Sequence, residues 1–204
     1  QLSKTEKDVT QELETYRRSL LKFRYEQLYI NERLDTSVTD DEVQEYYEAH
    51  QDRFVLQRPV VKARFISIAE DSPMLKTIRK KMSSDKAEDI MEADSLSFSS
   101  AYKFATWNNA WIDASTLARE FGQESASVLA SMKAGWVERT DTSGISNIAY
   151  VSEITPKGAI SPIEYSAPFI RDMIISARKQ SLITSLERDL LEDARVNGQF
   201  VIIE

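Results

Sequence analysis

Apolar side chains at Val9, Leu13, Tyr16, Leu20, Phe23, Ile30 and Leu34 recur at intervals of three, four or seven residues. That is the period of one helix face, not the two-residue alternation of a strand. Ser3 and Glu6 have the spacing of a capping box, in which the hydroxyl takes an orphan amide and the carboxylate reaches back. The spacing predicts a helix from about Ser3 to Leu34, roughly 45 Å long at 1.5 Å per residue. Leu21, Tyr25 and Leu28 widen the stripe to a second face. A rod of that length overhangs a small domain, so part of its stripe needs a partner helix, another chain or a ligand.

The other end of the chain repeats the pattern. In Ile160-Ser161-Pro162-Ile163-Glu164-Tyr165, Ser161 and Glu164 form a capping box, Pro162 takes the first helical position and Ile160 can staple to Tyr165. A helix to about Val196 follows, with Ile170, Met173, Ile174, Leu182, Leu186 and Leu190 facing inward and Pro168 in its first turns as a place to kink. Asn197-Gly198 ends it, and Phe200–Ile203 reads as a short terminal strand.

Between these ends, Thr39 and Glu42 make another capping box, with Asp40 and Asp41 suiting the helix dipole. Val60–Ile68 reads as a strand with partial alternation, as do Trp136–Arg139 and Ile148–Ile154. Ser72-Pro73 opens another helix, and Lys76 to Phe121 reads as several short helices, with Gly122 and Gly135 placed as C-caps. Five glycines and five prolines in 204 residues are too few for a sandwich or barrel and favour long helices. The fold class expected is therefore α+β, mostly α: long N- and C-terminal helices packing together around a small α+β middle. Residues 1–58 with 160–204 form the helical module, and residues 59–159 the middle domain.

Composition narrows the function. A net charge of −7, with Lys and Arg scattered among Asp and Glu, is not the basic footprint that nucleic acid demands. No apolar run reaches the length of a membrane span. Cysteine is absent, which removes disulfides, thiolate metal sites and thiol nucleophiles. No cofactor or metal is expected. A start at Gln1 without methionine is what signal-peptide removal leaves, and what trimming leaves equally.

Val38-Thr39-Asp40-Asp41-Glu42-Val43-Gln44-Glu45-Tyr46-Tyr47-Glu48, followed by Phe54 and the strand Val60–Ile68, resembles the start of the parvulin domain in SurA-like and PrsA-like foldases. Lys157-Gly158-Ala159-Ile160-Ser161-Pro162 resembles the G-x-[VI]-S-P link that leaves a parvulin core for its final helix. The resemblance implies a parvulin-like middle domain. It implies proline isomerisation carried by one histidine in the first strand, a second in the last, and an acidic or thiol residue between. Read across, the first histidine position falls at about Phe65 and the second near Ala149 or Tyr150, none of which shares a proton at neutral pH. The glycine-rich segment of the family is missing, with only Gly135-Trp136 resembling its end.

His50, the only histidine, sits at a helix end, where a dipole-favoured or surface role is the plainer reading than that of a general base. Glu48, Asp52, Asp85, Glu88, Asp89 and Glu92 lack the calcium-loop alternation and read as a solvated face. Trp107, Trp111 and Trp136 read as core or half-core residues before they read as a peptide groove. Tyr25, Leu28, Tyr29, Met173 and Ile174 are the candidate peptide-binding residues, forming a cradle between the end helices where soft and aromatic side chains suit varied clients. The expectation is a non-catalytic chaperone that holds unfolded exported or outer-membrane proteins. Its partners would be unfolded polypeptides and a second copy through the long helices, not nucleic acid. It would sit in the periplasm or cell envelope, with a lipid anchor on a removed N-terminal segment as one arrangement. The alternatives are a parvulin-type isomerase with an atypical site and a purely structural dimerising subunit.

Overall fold

The computed structural model describes residues 6–198, so the Ser3 cap and the Phe200–Ile203 strand expected from the sequence lie outside the described residues. Its contacts divide the chain into two units: Gln44–Pro168, and the residues up to Val43 taken with those from Phe169 onward. The class is α+β and mostly α, as the periodicity predicts.

The unit Gln44–Pro168 is built on an antiparallel sheet. Its strands are β1 (Val60–Ala69), β2 (Lys103–Thr106), β3 (Ile112–Asp113), β4 (Gly135–Thr140) and β5 (Ile145–Thr155). They run in the order β2-β1-β5-β4, with β3 also pairing β1. β1 is buried on both faces, which is why its sequence alternates only partially. Val61, Ala63 and Phe65 join one core with Leu117, Phe121 and Val128 from α5 (Ala114–Arg119), the turn after it and α6 (Ser125–Ala130). Ile66 and Ile68 join a second core with Ile78 and Met82 of α3 (Leu75–Met82) and Ala93 of α4 (Ala87–Ser100).

Two corrections to the sequence reading arise here. β2 and β3 interrupt the stretch expected to be only short helices; four residues and two residues carry too little local pattern, and pairing with β1 decides them. Gly135 opens β4 at φ +100° instead of capping a helix, whereas Gly122, at φ +58°, does follow one.

The capping box at Thr39 forms as read. The Thr39 amide donates to Glu42 Oε2 at 2.9 Å and the Glu42 amide to Thr39 Oγ1 at 3.2 Å, opening α2 (Asp40–Ala49). At Ser161 the outcome differs: its buried hydroxyl bonds to the Ser166 hydroxyl, and α7 (Ile163–Val196) begins with Pro162 supplying the carbonyl for the Tyr165 and Ser166 amides.

The two units divide near 43 and 168, outside the bounds of 58 and 160 read from the break before Val60 and the helix start at Ser161-Pro162. Backbone bonds explain it. The Leu56 amide donates to Ala159 O at 2.9 Å, the Gly158 amide to Leu56 O at 2.8 Å, and the Ser161 amide to Phe54 O at 2.8 Å, tying the chain before β1 to the chain after β5.

In the other unit, α1 (Glu6–Arg33) and the distal part of α7 run antiparallel, joined by Lys22 Nζ to Glu187 Oε1 at 3.1 Å. Arg178 fixes their register: it donates to Asp35 O at 3.1 Å and Ser37 O at 2.6 Å and pairs with Glu42. Arg171 pairs with Asp40. Ile30, Ile170 and Leu186 are buried. Packing between the end helices leaves much of both apolar stripes open. Leu13, Tyr16, Leu21 and Phe23 are each about 60% exposed, and Leu190 and Leu191 are 48% and 61% exposed.

Candidate functional site

Three places can be judged for chemistry. The first is where the parvulin resemblance places two histidines. Phe65 on β1 stands directly across from Ala149 on β5, 1% and 0% exposed. Ala149, not Tyr150, therefore shares the face of Phe65. The Phe121 ring meets Phe65 edge-on at 5.3 Å, and Leu117, Val128 and Val137 complete the same cluster. None of these side chains exchanges a proton at neutral pH, and Phe65, Leu117, Val128 and Ala149 are buried from solvent.

The neighbouring pair, Arg64 and Tyr150, belongs to the opposite face. There Tyr150 packs on Trp136 at 5.0 Å. Arg64, 7% exposed, donates to the carbonyls of Met82 and Ser84 and to Asn108 Oδ1. Burial pushes the Arg64 guanidinium down and the Asp94 carboxyl up from their ordinary values, while their mutual attraction opposes both shifts. Asp94 lines a cleft of about 450 Å³ with Ile90, Met91, Trp107 and Asn108. The buried Arg64 is a structural clamp for the turn after α3, and nothing in its local sequence announces that role.

The motif that carries the resemblance is assembled in three dimensions. Tyr47 stacks on Phe54 at 5.4 Å and donates from its hydroxyl to Ser161 O at 2.6 Å, so the Tyr-Tyr helix, Phe54 and the Ser-Pro link meet. Burial raises the Tyr47 phenol above its ordinary value. His50 stacks on Tyr46 at 4.3 Å, with Nδ1 2.9 Å from Tyr46 O, a helix-end arrangement. Asp89 and Glu92 share Lys81 at 3.0 and 2.7 Å, and that lysine holds the Asp89 carboxyl below its ordinary value. The three tryptophans are half-buried, Trp111 under Lys62 at 4.8 Å and Trp136 under Arg79 at 5.0 Å.

The third place is a groove of about 650 Å³ along α1 and the distal part of α7, walled by Leu21, Tyr25, Leu186, Leu190 and Leu191 and edged by Lys22, Glu26 and Glu187. Of the five candidate peptide-binding residues, Tyr25 lines it. Leu28 is exposed nearby on α1, and Tyr29 lies under the Arg33 guanidinium at 4.1 Å. Met173 and Ile174 are half-buried between Arg171 and Arg178, toward the other end of the antiparallel pair. The five are therefore spread along the helices. Leu186, Leu190 and Leu191 could not be placed beside Tyr25 from the sequence, because the register set by Arg178 and Lys22 is needed to see them there.

The family model of the PPIC-type PPIASE domain matches residues 38–164, more than half of the chain. The chain belongs to this family, the parvulin-type peptidyl-prolyl isomerases. It is also similar to a solved structure reported with the virulence factor PEB4 and the periplasmic protein Cj1289, two structurally related SurA-like chaperones of Campylobacter jejuni. That similarity has 17% identity and a TM-score of 0.36, over 96% of this chain and 74% of that one. No curated protein matches.

Proposed function

We propose that this parvulin-family protein is a non-catalytic holdase: it binds unfolded polypeptides and does not isomerise proline. The observation that carries the binding half is the groove of about 650 Å³, whose walls are leucine and tyrosine and whose charges stand at its edges. Such an exposed apolar trough accepts many sequences through non-directional burial, and its rim charges leave the loaded protein soluble. A net charge of −7 works in the same direction and disfavours nucleic acid. The non-catalytic half is supported by Phe65 and Ala149, which fill the positions where the family resemblance expects proton-sharing histidines. The motif from Val38 to Glu48 and its likeness to SurA-like and PrsA-like foldases support exported clients, including outer-membrane proteins, and a periplasmic or envelope location.

The test is light scattering of a chemically unfolded exported client diluted with the folded protein. Protection is expected near stoichiometric amounts and without nucleotide. Tyr25→Asp with Leu190→Asp should abolish it while far-UV circular dichroism stays unchanged, because a charge in the groove must be desolvated when an apolar segment docks. In parallel, cis/trans exchange of a proline tetrapeptide should keep its uncatalysed time of tens to hundreds of seconds. No protection at several-fold excess removes the holdase, and an exchange rate rising with protein concentration removes the non-catalytic assignment.

A further inference from the structure

The opposite side of α1 carries a second feature that client binding does not use. Val9, Tyr16 and Phe23 fall every seven residues, and Leu13, Leu20 and Gln27 fall every seven residues between them. A strict seven-residue repeat with alternate steps of four and three makes a seam that stays on one side of a supercoiled helix; a merely amphipathic surface helix follows 3.6. The five apolar members of this set are 42–63% exposed, and the row ends at Ile30, where the unit's own packing takes over. At 100° per residue the groove residues Leu21, Lys22, Tyr25 and Glu26 centre roughly 180° away from this seam, so occupying one leaves the other open.

We propose that the occupant of the seam is α1 of a second copy, in a parallel, in-register two-stranded coiled coil. Charge selects the direction. The positions flanking the seam hold Glu12 and Glu26 on one side and Arg17 and Arg24 on the other. A parallel pair brings Glu12 of each chain to Arg17 of the other. An antiparallel pair sets arginine against arginine and glutamate against glutamate. Gln27 sits in a core position, where two copies can hydrogen-bond to each other only in register, a device that costs stability and fixes alignment. Five half-exposed side chains of this size cover roughly 500 Å² on each copy and roughly 1,000 Å² over the pair, the lower bound for a specific interface.

Sedimentation of the 204-residue protein at micromolar concentrations should show a dimer. Leu13→Lys with Leu20→Lys should give a monomer of unchanged helical content, since neither side chain is part of the buried interior. Arg17→Glu should weaken association several-fold, and adding Glu12→Arg should restore it. Because the chain has no cysteine, Leu13→Cys reports direction: oxidation should cross-link two copies, whereas antiparallel helices hold the two thiols too far apart. The proposal falls if the wild type stays monomeric, if the lysine pair leaves the dimer intact, or if Leu13→Cys does not cross-link. A monomeric wild type that loses aggregation protection on Leu13→Lys with Leu20→Lys would make the seam a client surface instead. Loss of protection confined to Tyr25→Asp with Leu190→Asp concerns the groove alone, so the two sites are told apart.

Discussion

In the sheet unit, Leu117 is fully buried in the cluster of Phe65, Phe121 and Val128; in the helical unit, Leu191 is 61% exposed beside Tyr25 and Leu190. Phe65 at 1% and Phe23 at 59% differ in the same way, although Phe98 on α4 of the sheet unit is 79% exposed. The sheet unit buries most of its large apolar side chains in its own two cores, one on each face of β1, and leaves Met91, Phe98 and Tyr102 exposed at its surface. The helical unit holds its register through Arg171, Arg178 and Lys22 and leaves much of its apolar surface open. Apolar surface exposed along a helix pair in this way is where a soluble protein meets partners, so the proposed binding function falls to the helical unit.

The largest test of this contrast uses one substitution in both settings. Leu117→Ala should destabilise the protein by about 2–5 kcal/mol, the cost of a cavity in a packed core. Leu191→Ala should change stability by no more than about 0.5 kcal/mol, as surface changes do. Urea unfolding of both variants measures the difference; equal losses would mean that the groove is core and not a binding surface.

An intermediate effect is expected at Arg64. Arg64→Ala leaves the carbonyls of Met82 and Ser84 and the Asn108 amide without their donor, which should cost roughly 2–3 kcal/mol. Arg64→Lys should recover only part of it, because an ammonium cannot reproduce the guanidinium fork. Full stability of the alanine variant would show that the sheet unit does not depend on this buried charge.

The smallest effect concerns the start of α2. Thr39→Ala should cost about 1 kcal/mol by removing an N-cap. The Thr39 amide first, and Arg178 second, hold the Glu42 carboxyl below its ordinary value of 4.5. A carboxylate lowered in the folded state stabilises above its unfolded pKa and loses that contribution as pH falls through the folded one. Stability attached to Glu42 is therefore present above pH 4.5 and lost below it. Glu42→Gln should shrink the fall in Tm between about pH 5 and about pH 3. An unchanged fall would place the acid sensitivity elsewhere, at carboxyls such as Asp35, lowered chiefly by the Ser37 hydroxyl, or Asp89, lowered chiefly by Lys81.

Much of the fold was legible because its signals are local. The stripe from Val9, the box at Thr39 and the run Val60–Ile68 each declare themselves within a few residues, and α1, α2, β1 and α7 follow. The absence of histidine at Phe65 and Ala149 was readable too, since strand order placed those positions approximately. The site was legible only in part. Tyr25 was singled out and lines the groove, whereas Leu186 and Leu190 read merely as inward-facing residues of a helix.

The sequence by itself therefore determined the long helices, the cap at Thr39, the apolar stripes and the absence of proton-sharing side chains, because periodicity, capping and side-chain chemistry act over one or two turns. Only the tertiary structure decided that β2 and β3 are strands, that Phe65 faces Ala149 while Arg64 faces the other core, and that Lys22 rather than Tyr29 lies level with Glu187. Each of these depends on partners far apart in the chain. A few residues of local pattern cannot encode a pairing whose free energy comes from the other side of the contact.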